Sequence, residues 1–174
     1  MAIVKKLVEC VPNFSEGRDK EKVEKIMDAF RGKEGVKLLD YSTDENHNRL
    51  VVTVVGEPGP VKDAVLEAMG TAVELIDMTK HTGEHPRMGA TDVVPFIPFK
   101  NISMTEAIEL SKEVAKEAAE RYNIPIFLYE NSASAPEREN LATIRKGQFE
   151  GMPEKLQQPE WKPDFGPAKV HPTA

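Results

Sequence analysis

The feature that most constrains this chain is a switch of apolar period, from strand-like to helical and back, repeated from Lys6 to Tyr129. Lys6 to Val11 reads as a short buried strand, and after a turn at Pro12 to Gly17 the residues Val23, Ile26, Met27 and Phe30 recur at helical spacing. Val36 to Tyr41 and Leu50 to Val55 are runs rich in β-branched residues, which predicts two strands. The polar stretch Ser42 to Asn48 between them is longer than a tight hairpin needs, and Asp40 is placed at the end of the first strand. Pro58 and Pro60 suit the first turn of a helix running to about Ile76, with Val61, Val65, Ala68, Met69 and Ala72 on its apolar side. Val93 to Ile97 predicts another buried strand. Ser103 with Glu106 makes a capping box for a helix ending near Tyr122, and Ile124 to Tyr129 predicts a fifth strand. Glu139 to Lys146 predicts a short helix closed by Gly147. Beyond it Pro153, Pro159, Pro163, Pro167 and Pro172 predict a tail without regular structure, extended over the body or disordered.

The order strand, helix, strand, strand, helix, strand resembles a split βαβ unit. The expected fold is therefore α+β: a ferredoxin-like split βαβ sandwich, with a mixed sheet of about five strands, helices packed on it and an extended Pro-rich C-terminal tail. A length of 174 residues fits one domain with a real core. Hydrophobic residues at 40% and charged residues at 30% are ordinary for a soluble globular protein, and no apolar run is long enough to span a bilayer. The formal net charge of −6, with basic and acidic residues interspersed, argues against a nucleic-acid partner. Cys10 is the only cysteine, which rules out an internal disulfide and a cysteine-built zinc site. Met1 to Leu7 holds no apolar run fit for a signal-peptide core, so a cytoplasmic location is expected.

Chemistry concentrates between His81 and Ala90, where two of the four histidines, a glutamate and an arginine sit between a helix and a strand. Pro86 restricts His85 to extended geometry, and Gly83 and Gly89 allow close backbone approach. A histidine there can accept and return a proton, and Arg87 can hold a carboxylate in bidentate fashion. The plainer alternative is that His81 and His85 only cap the preceding helix. A metal site is disfavoured, because Gly83 and Pro86 break the helix on which an i, i+4 histidine pair would bind zinc. The stretch from Asp44 to Arg49 offers a second polar cluster, for which a solvated turn is the alternative. Trp161, in a proline-rich stretch, either seals a core edge or stacks on a planar ring.

Several strings, in this order, resemble the formiminotransferase domain of glutamate formiminotransferase, which also occurs fused in formiminotransferase-cyclodeaminase. They are Glu9-Cys10-Val11-Pro12-Asn13-Phe14-Ser15-Glu16-Gly17, Asn48-Arg49, Leu75-Ile76-Asp77-Met78, Gly83 to Ala90 with Asp92, Pro95-Phe96-Ile97-Pro98 and Trp161 to Pro167. The resemblance spans nearly the whole chain, and a string such as Gly-Glu-His-Pro-Arg-Met-Gly-Ala is far more specific than a short motif. It implies a folate-dependent one-carbon transferase of histidine degradation, moving a formimino group between N-formimino-L-glutamate and N5 of tetrahydrofolate as co-substrate, without a metal. It makes His85 the catalytic residue. Asp40, Asn48, Arg49, Glu84 and Arg87 are candidates for substrate binding. Pro159, Glu160, Trp161, Lys162, Pro163, Asp164, Phe165, Gly166, Pro167 and Ala168 correspond to the folate-lining segment. Residues 1–174 would form the N-terminal subdomain, which in the family is followed by a second subdomain of similar size, with folate in the cleft between them. A homodimer is implied as well. A non-catalytic folate-binding or partner-binding subdomain is the competing expectation, and a hydrolase built on Cys10 and His85 a third.

Overall fold

The computed structural model describes residues 5–174; the first four, part of the stretch from Met1 to Leu7 read for a leader, lie outside the described residues. Leu7–Cys10 (β1) and Asn13–Phe14 (β2) follow one another across Pro12, which has no N–H to give to a ladder. The first helix, Lys20–Met27 (α1), starts at Asp19, whose carboxylate accepts from the backbone N–H groups of Glu21 and Lys22. It buries Val23, Ile26 and Met27, and a 3-10 turn over Asp28–Phe30 adds Ala29 and Phe30 to the core. Val36–Asp44 (β3) and Arg49–Gly56 (β4) form a hairpin, so the connection is only residues 45–48 and Asp40 lies inside the strand instead of ending it. The period-2 pattern carries β3 further than its apolar run, because its polar outer half still pairs with β4.

After Pro58–Leu75 (α2) come Thr91–Val93 (β5) and Phe96–Lys100 (β6), two strands where one was expected. Pro95 divides them, and its carbonyl accepts from the N–H of Val11 at 3.2 Å, beside the Pro12 break. Pro98 is tolerated because β6 pairs on one side only, with β1. Met104–Tyr122 (α3) opens on the Ser103–Glu106 capping box and stops at Asn123, which is left-handed at φ 58°. In the sheet β4 is flanked by β3 on one side and by β1 and β2 on the other, with β6 beyond β1 and β5 beyond β2. Every pairing is antiparallel, which corrects the expected mixed sheet. The hairpin inserts β4 between the two strands that α1 connects, so strands running the same way never meet. The architecture is α+β, a curled six-stranded antiparallel sheet with helices on one face.

Val8, Cys10, Phe14, Leu50, Val52 and Val54 turn toward the helices and are fully buried against Val61, Val65, Leu66 and Ala68 of α2 and Val114 and Ala118 of α3. The opposite face holds Glu9 and the exposed Ile97 and Phe99. Ile124 to Tyr129 is not a fifth strand. Pro125 lacks a donor, and the segment makes a single antiparallel bridge, Ile126 with Phe165 of the tail. The short helix expected over Glu139 to Lys146 forms as Leu141–Arg145 (α4), and the tail beyond it is not extended throughout, because Met152–Lys155 (α5) and a 3-10 turn at Pro159–Trp161 interrupt it. Pro153 stands in the first turn of α5, where a missing N–H costs nothing. The chain then returns to the body, and the carbonyl of Thr173 accepts from the N–H of Met78 at 2.6 Å.

Helices α2 and α3 are joined where the Tyr122 hydroxyl donates to the carbonyl of Leu66 at 2.6 Å, with its ring on Gly70. A Cβ at Gly70 would stand 2.6 Å from that hydroxyl. Alanine normally gains about 1 kcal/mol over glycine inside a helix. Here Gly70→Ala is expected to lose about 1–3 kcal/mol through overpacking, read as a lower urea midpoint. In a Tyr122→Ala background the same change is expected to be neutral or stabilising; stabilisation by Gly70→Ala alone would contradict this helix contact.

Candidate active site

Three loops meet on one buried side chain. Asn48 closes the β3–β4 turn in the left-handed region at φ 54°, which asparagine tolerates better than most residues. Its Oδ1 accepts from the N–H of Gly17 at 2.9 Å, and its Nδ2 donates to the carbonyl of Thr82 at 3.0 Å. The backbone of the loop at 81–90 lies directly on this turn: a Cβ at Gly83 would come within 3.0 Å of the Asn48 Cβ, and the N–H of Glu84 donates to the carbonyl of Asn46 at 3.1 Å. The far end of the loop is tied to the residue after β2, where Ser15 gives its N–H to the Ala90 carbonyl and its hydroxyl to the Gly89 carbonyl, both at 2.8 Å.

Arg87 fastens the middle of the loop to the tail. Its Nε donates to Nδ1 of His81 at 2.9 Å, one terminal nitrogen to Gln148 and Glu150 at 2.8 Å, and the other to Glu150 at 2.6 Å and the His81 carbonyl at 3.1 Å. A guanidinium has five N–H donors. All are used inside the chain, so Arg87 braces the loop here. The same bonds fix His81: Nδ1 accepts, so Nε2 carries the proton and donates to the Asn48 carbonyl at 3.2 Å. Burial, then the charge of Arg87, holds its pKa below the ordinary value, while the carbonyl of Asn48 pulls the other way.

His85 stands half-buried between these anchors. Its Nε2 lies 2.5 Å from Nη1 of Arg49, the first residue of β4. A guanidinium only donates, so Nε2 accepts and the neutral ring carries its proton on Nδ1, which is buried without a partner. Burial first, then the positive charge of Arg49, keeps the imidazole below its ordinary pKa; Arg145 adds to this, and the Pro86 carbonyl and Asp92 oppose it. The ring of His47 meets that of His85 edge-on at 6.0 Å between centroids. Asp92 is paired with Arg145 of α4 and accepts from the Met88 N–H at 2.8 Å, so it braces the loop as well.

Asn48, Arg49, His85 and Arg87 are thus brought together. Glu84 joins them through its backbone, with an exposed carboxylate that makes no hydrogen bond among the described residues. Asp40 is exposed on β3 opposite Thr53 and makes none either. The acid that does belong to the turn is Asp44, which accepts from the His47 N–H at 2.9 Å and contacts its Nδ1 at 3.0 Å. Gln148, Glu150 and Arg145 escaped notice in the sequence because they lie some sixty residues from the loop they hold. Only their pairing with an arginine that would otherwise be buried alone could have pointed to them.

The segment 159–168 is divided between side chains packed on the body and side chains left exposed. Trp161 has Nζ of Lys155 4.2 Å and Cζ of Arg138 5.6 Å from its ring centroid, and meets Phe127 edge-on at 6.4 Å. Asp164 accepts from the Leu128 N–H at 2.8 Å and the Ser134 hydroxyl at 2.5 Å, and pairs with Arg138 at 3.1 Å. Pro163 is buried, Phe165 bridges to Ile126, and Pro167 is half-buried. Pro159, Glu160, Lys162, Gly166 and Ala168 remain exposed to a ligand. Trp161 thus packs against Lys155, Arg138 and Phe127 and stays half-buried. A cavity of about 410 Å³, mostly apolar, opens beside the loop at Met88 and Asp92; neither His85 nor any residue of 159–168 lines it. Cys10 is fully buried and burial pushes its thiol well up, which sets aside the cysteine hydrolase. Among the described residues no three His, Cys, Asp or Glu side chains gather to hold a metal ion, and no helix is long and apolar enough to cross a membrane.

An antiparallel α+β domain that pins a neutral histidine against an arginine in a braced loop is a site suited to acid–base chemistry on an anionic substrate. The chain belongs to the formiminotransferase domain family: residues 7–174 match the sequence model of the formiminotransferase domain, N-terminal subdomain. It is 54% identical over 169 residues to a glutamate formimidoyltransferase of Streptococcus pyogenes serotype M1, covering 97% of this chain and 56% of that protein. It is 50% identical over 168 residues to a formimidoyltransferase-cyclodeaminase of Dictyostelium discoideum, covering 97% and 31%. A glutamate formimidoyltransferase of Thermoplasma acidophilum is 45% identical over 166 residues, covering 94% and 55%. The chain thus spans about half the length of these transferases and about a third of the cyclodeaminase.

Because both imidazoles are held below their ordinary value, the unfolded chain binds protons that the folded chain refuses as the pH falls. Their contribution is full above the ordinary histidine value of 6.5 and is lost as the pH drops toward the lower folded values. We expect stability to decline between about pH 7.5 and about pH 5.5 and His81→Gln to flatten that slope, measured by urea unfolding. A slope unchanged by the substitution would count against the half-buried neutral His81.

Proposed function

We propose that this chain is the histidine-bearing part of a glutamate formimidoyltransferase, which moves a formimino group from N-formimino-L-glutamate to N5 of tetrahydrofolate. The single observation that carries the reading is the half-buried neutral imidazole of His85 set against Arg49 in a loop that the rest of the fold immobilises. The names of the relatives supply the group transferred, and the matching formiminotransferase domain family agrees with them. The strand order β6–β1–β4–β3 under helices on one face supports reading the frame as ferredoxin-like.

In the mechanism, N5 of the folate attacks the amidine carbon and a tetrahedral centre forms. His85 takes the proton from N5 and returns one to the departing glutamate nitrogen, a general acid–base role worth on the order of 10²–10⁴ in rate. A base must be neutral to accept that proton, and burial with the Arg49 charge keeps His85 neutral near pH 7. With Arg87 fully engaged, Arg49 is the cation of the loop cluster left to hold a substrate carboxylate. Glu84, exposed beside His85, suits the protonated formimino group better than Asp40 on the distant part of β3. The exposed residues of 159–168, Glu160 and Lys162 among them, suit a folate approaching from solvent. The family resemblance supports a homodimer.

A second reading is favoured by one feature: Ile97 and Phe99, 41% and 57% exposed, lie on the sheet face turned from the helices. Together with the length of the relatives, it supports a subdomain that needs a further polypeptide segment for activity. Replacing His85 by Ala is expected to lower formimino transfer by at least about a hundredfold while changing binding of a 5-substituted tetrahydrofolate only slightly. An assay with both substrates, beside a calorimetric titration, decides this; undiminished turnover would end the proposed role of His85.

A further inference from the structure

An imidazole can take a proton only on a nitrogen whose lone pair is free. In His85 neither is: Nε2 accepts from Arg49 at 2.5 Å, and Nδ1 already carries the proton and is buried. The base required by the proposed function, on which this inference rests, is therefore masked as long as Arg49 stays in place. The other arginines around the loop cannot move cheaply. Arg87 spends every donor, Arg145 is paired with Asp92, and Arg18 donates to the Glu45 carbonyl at 2.8 Å and to Thr82 at 3.3 Å. Among the described residues the guanidinium of Arg49 makes no ion pair and only the one side-chain hydrogen bond to His85. A carboxylate is a stronger and better matched partner for a guanidinium than a neutral imidazole, since it offers two oxygens and an opposite charge.

We propose that Arg49 is a substrate-operated latch on His85: a carboxylate of the glutamate substrate draws the guanidinium off Nε2 and so exposes the basic lone pair only when the site is loaded. The proton accounting is simple. Arg49 keeps its proton throughout, Nε2 receives the proton lost by the attacking nitrogen, and the imidazolium so formed carries protons on both nitrogens. The same carboxylate neutralises the cation that opposes this imidazolium. The charged and titratable groups facing His85 are Arg49 from β4, His47 from the turn, Arg145 from α4 and Asp92 from β5. Arg145 and Asp92 offset one another, which leaves Arg49 as the uncompensated charge. Arg49 is in this account a positioning and gating residue as well as a substrate contact, and an unloaded enzyme holds no competent base to spend on water.

The test reads His85 directly, by histidine side-chain nitrogen NMR of the chain through a pH titration, with and without N-acetyl-L-glutamate as a non-reacting dicarboxylate. Without the probe, His85 is expected as the Nδ1–H tautomer with a depressed midpoint; with it, the midpoint is expected to rise by about one pH unit. Arg49→Gln is expected to raise the midpoint without the probe and to abolish the response to it, and Arg49→Lys, which keeps the charge but not the fork, to retain the depression. A His85 midpoint that ignores N-acetyl-L-glutamate, or that is the same in Arg49→Gln as in the native chain, overturns the latch. Formimino transfer by the His85→Ala variant reports separately on the base itself, so a failed latch and a failed function are told apart.

Discussion

Much of this molecule hangs on the side-chain amide of Asn48. One carbonyl and one NH₂ group, buried at the end of a hairpin, satisfy the N–H of Gly17 ahead of α1 and the carbonyl of Thr82 in the loop after α2. Neither of those backbone groups lies in a helix or a ladder, and each would cost about 1–3 kcal/mol if buried unmet. A single residue thus sets the spacing of three segments that the sheet and helices alone would leave independent. The left-handed turn that presents it is one that β-branched residues strongly resist. The next residue is Arg49, so the amide that joins the loops also fixes the start of the side chain that reaches His85.

The arginines around this hub divide the electrostatic work by what surrounds each. Arg87 is buried and carries its neutralising carboxylate, Glu150, in from the solvent side, which holds the Glu150 carboxyl below the usual range. Arg145 is matched by Asp92. Arg49 has no such partner, and its charge is expressed on the one group it touches. A protein built for stability alone would have paired it, because a half-buried cation against a neutral ring is a poor use of both. That mismatch is the reason to look for an anion from outside.

Much of the frame was legible in the sequence. The apolar stripes of α1 and α2 and the capping box of α3 gave those helices close to their observed limits, because each depends on neighbours within a turn or two. The errors came where a proline competed with a strand pattern. Val93 to Ile97 and Ile124 to Tyr129 both have strand composition, yet Pro95 and Pro125 remove the donors on which a continuous ladder would depend. The sheet was expected to be mixed because local pattern does not say which strands become neighbours. In the site, His85, Asn48 and Arg49 were visible as dense polar strings. The role of Arg87 was not, since its partners Gln148 and Glu150 come from the tail and only the folded chain brings them near.

The tail raises the same issue from the other side. A proline-rich segment with one tryptophan invites the idea of an open stacking platform, but Trp161 is held by Lys155 and Arg138, and Asp164 is spent on Leu128, Ser134 and Arg138. Lys155 in turn gives its ammonium to the carbonyls that close α4, among them that of Ile144. Aromatic, cation and helix end form one packed unit, and that unit keeps Arg145 of α4 against Asp92 and, through Gln148 and Glu150, anchors Arg87. The tryptophan is thus linked to the histidine loop through Lys155, the carbonyls of α4 and the ion pair of Arg145 with Asp92. The contacts that hold the loop of His85 thus come in part from the far end of the chain, so the segment from α4 onward belongs to the site's frame as much as the strand that carries Arg49.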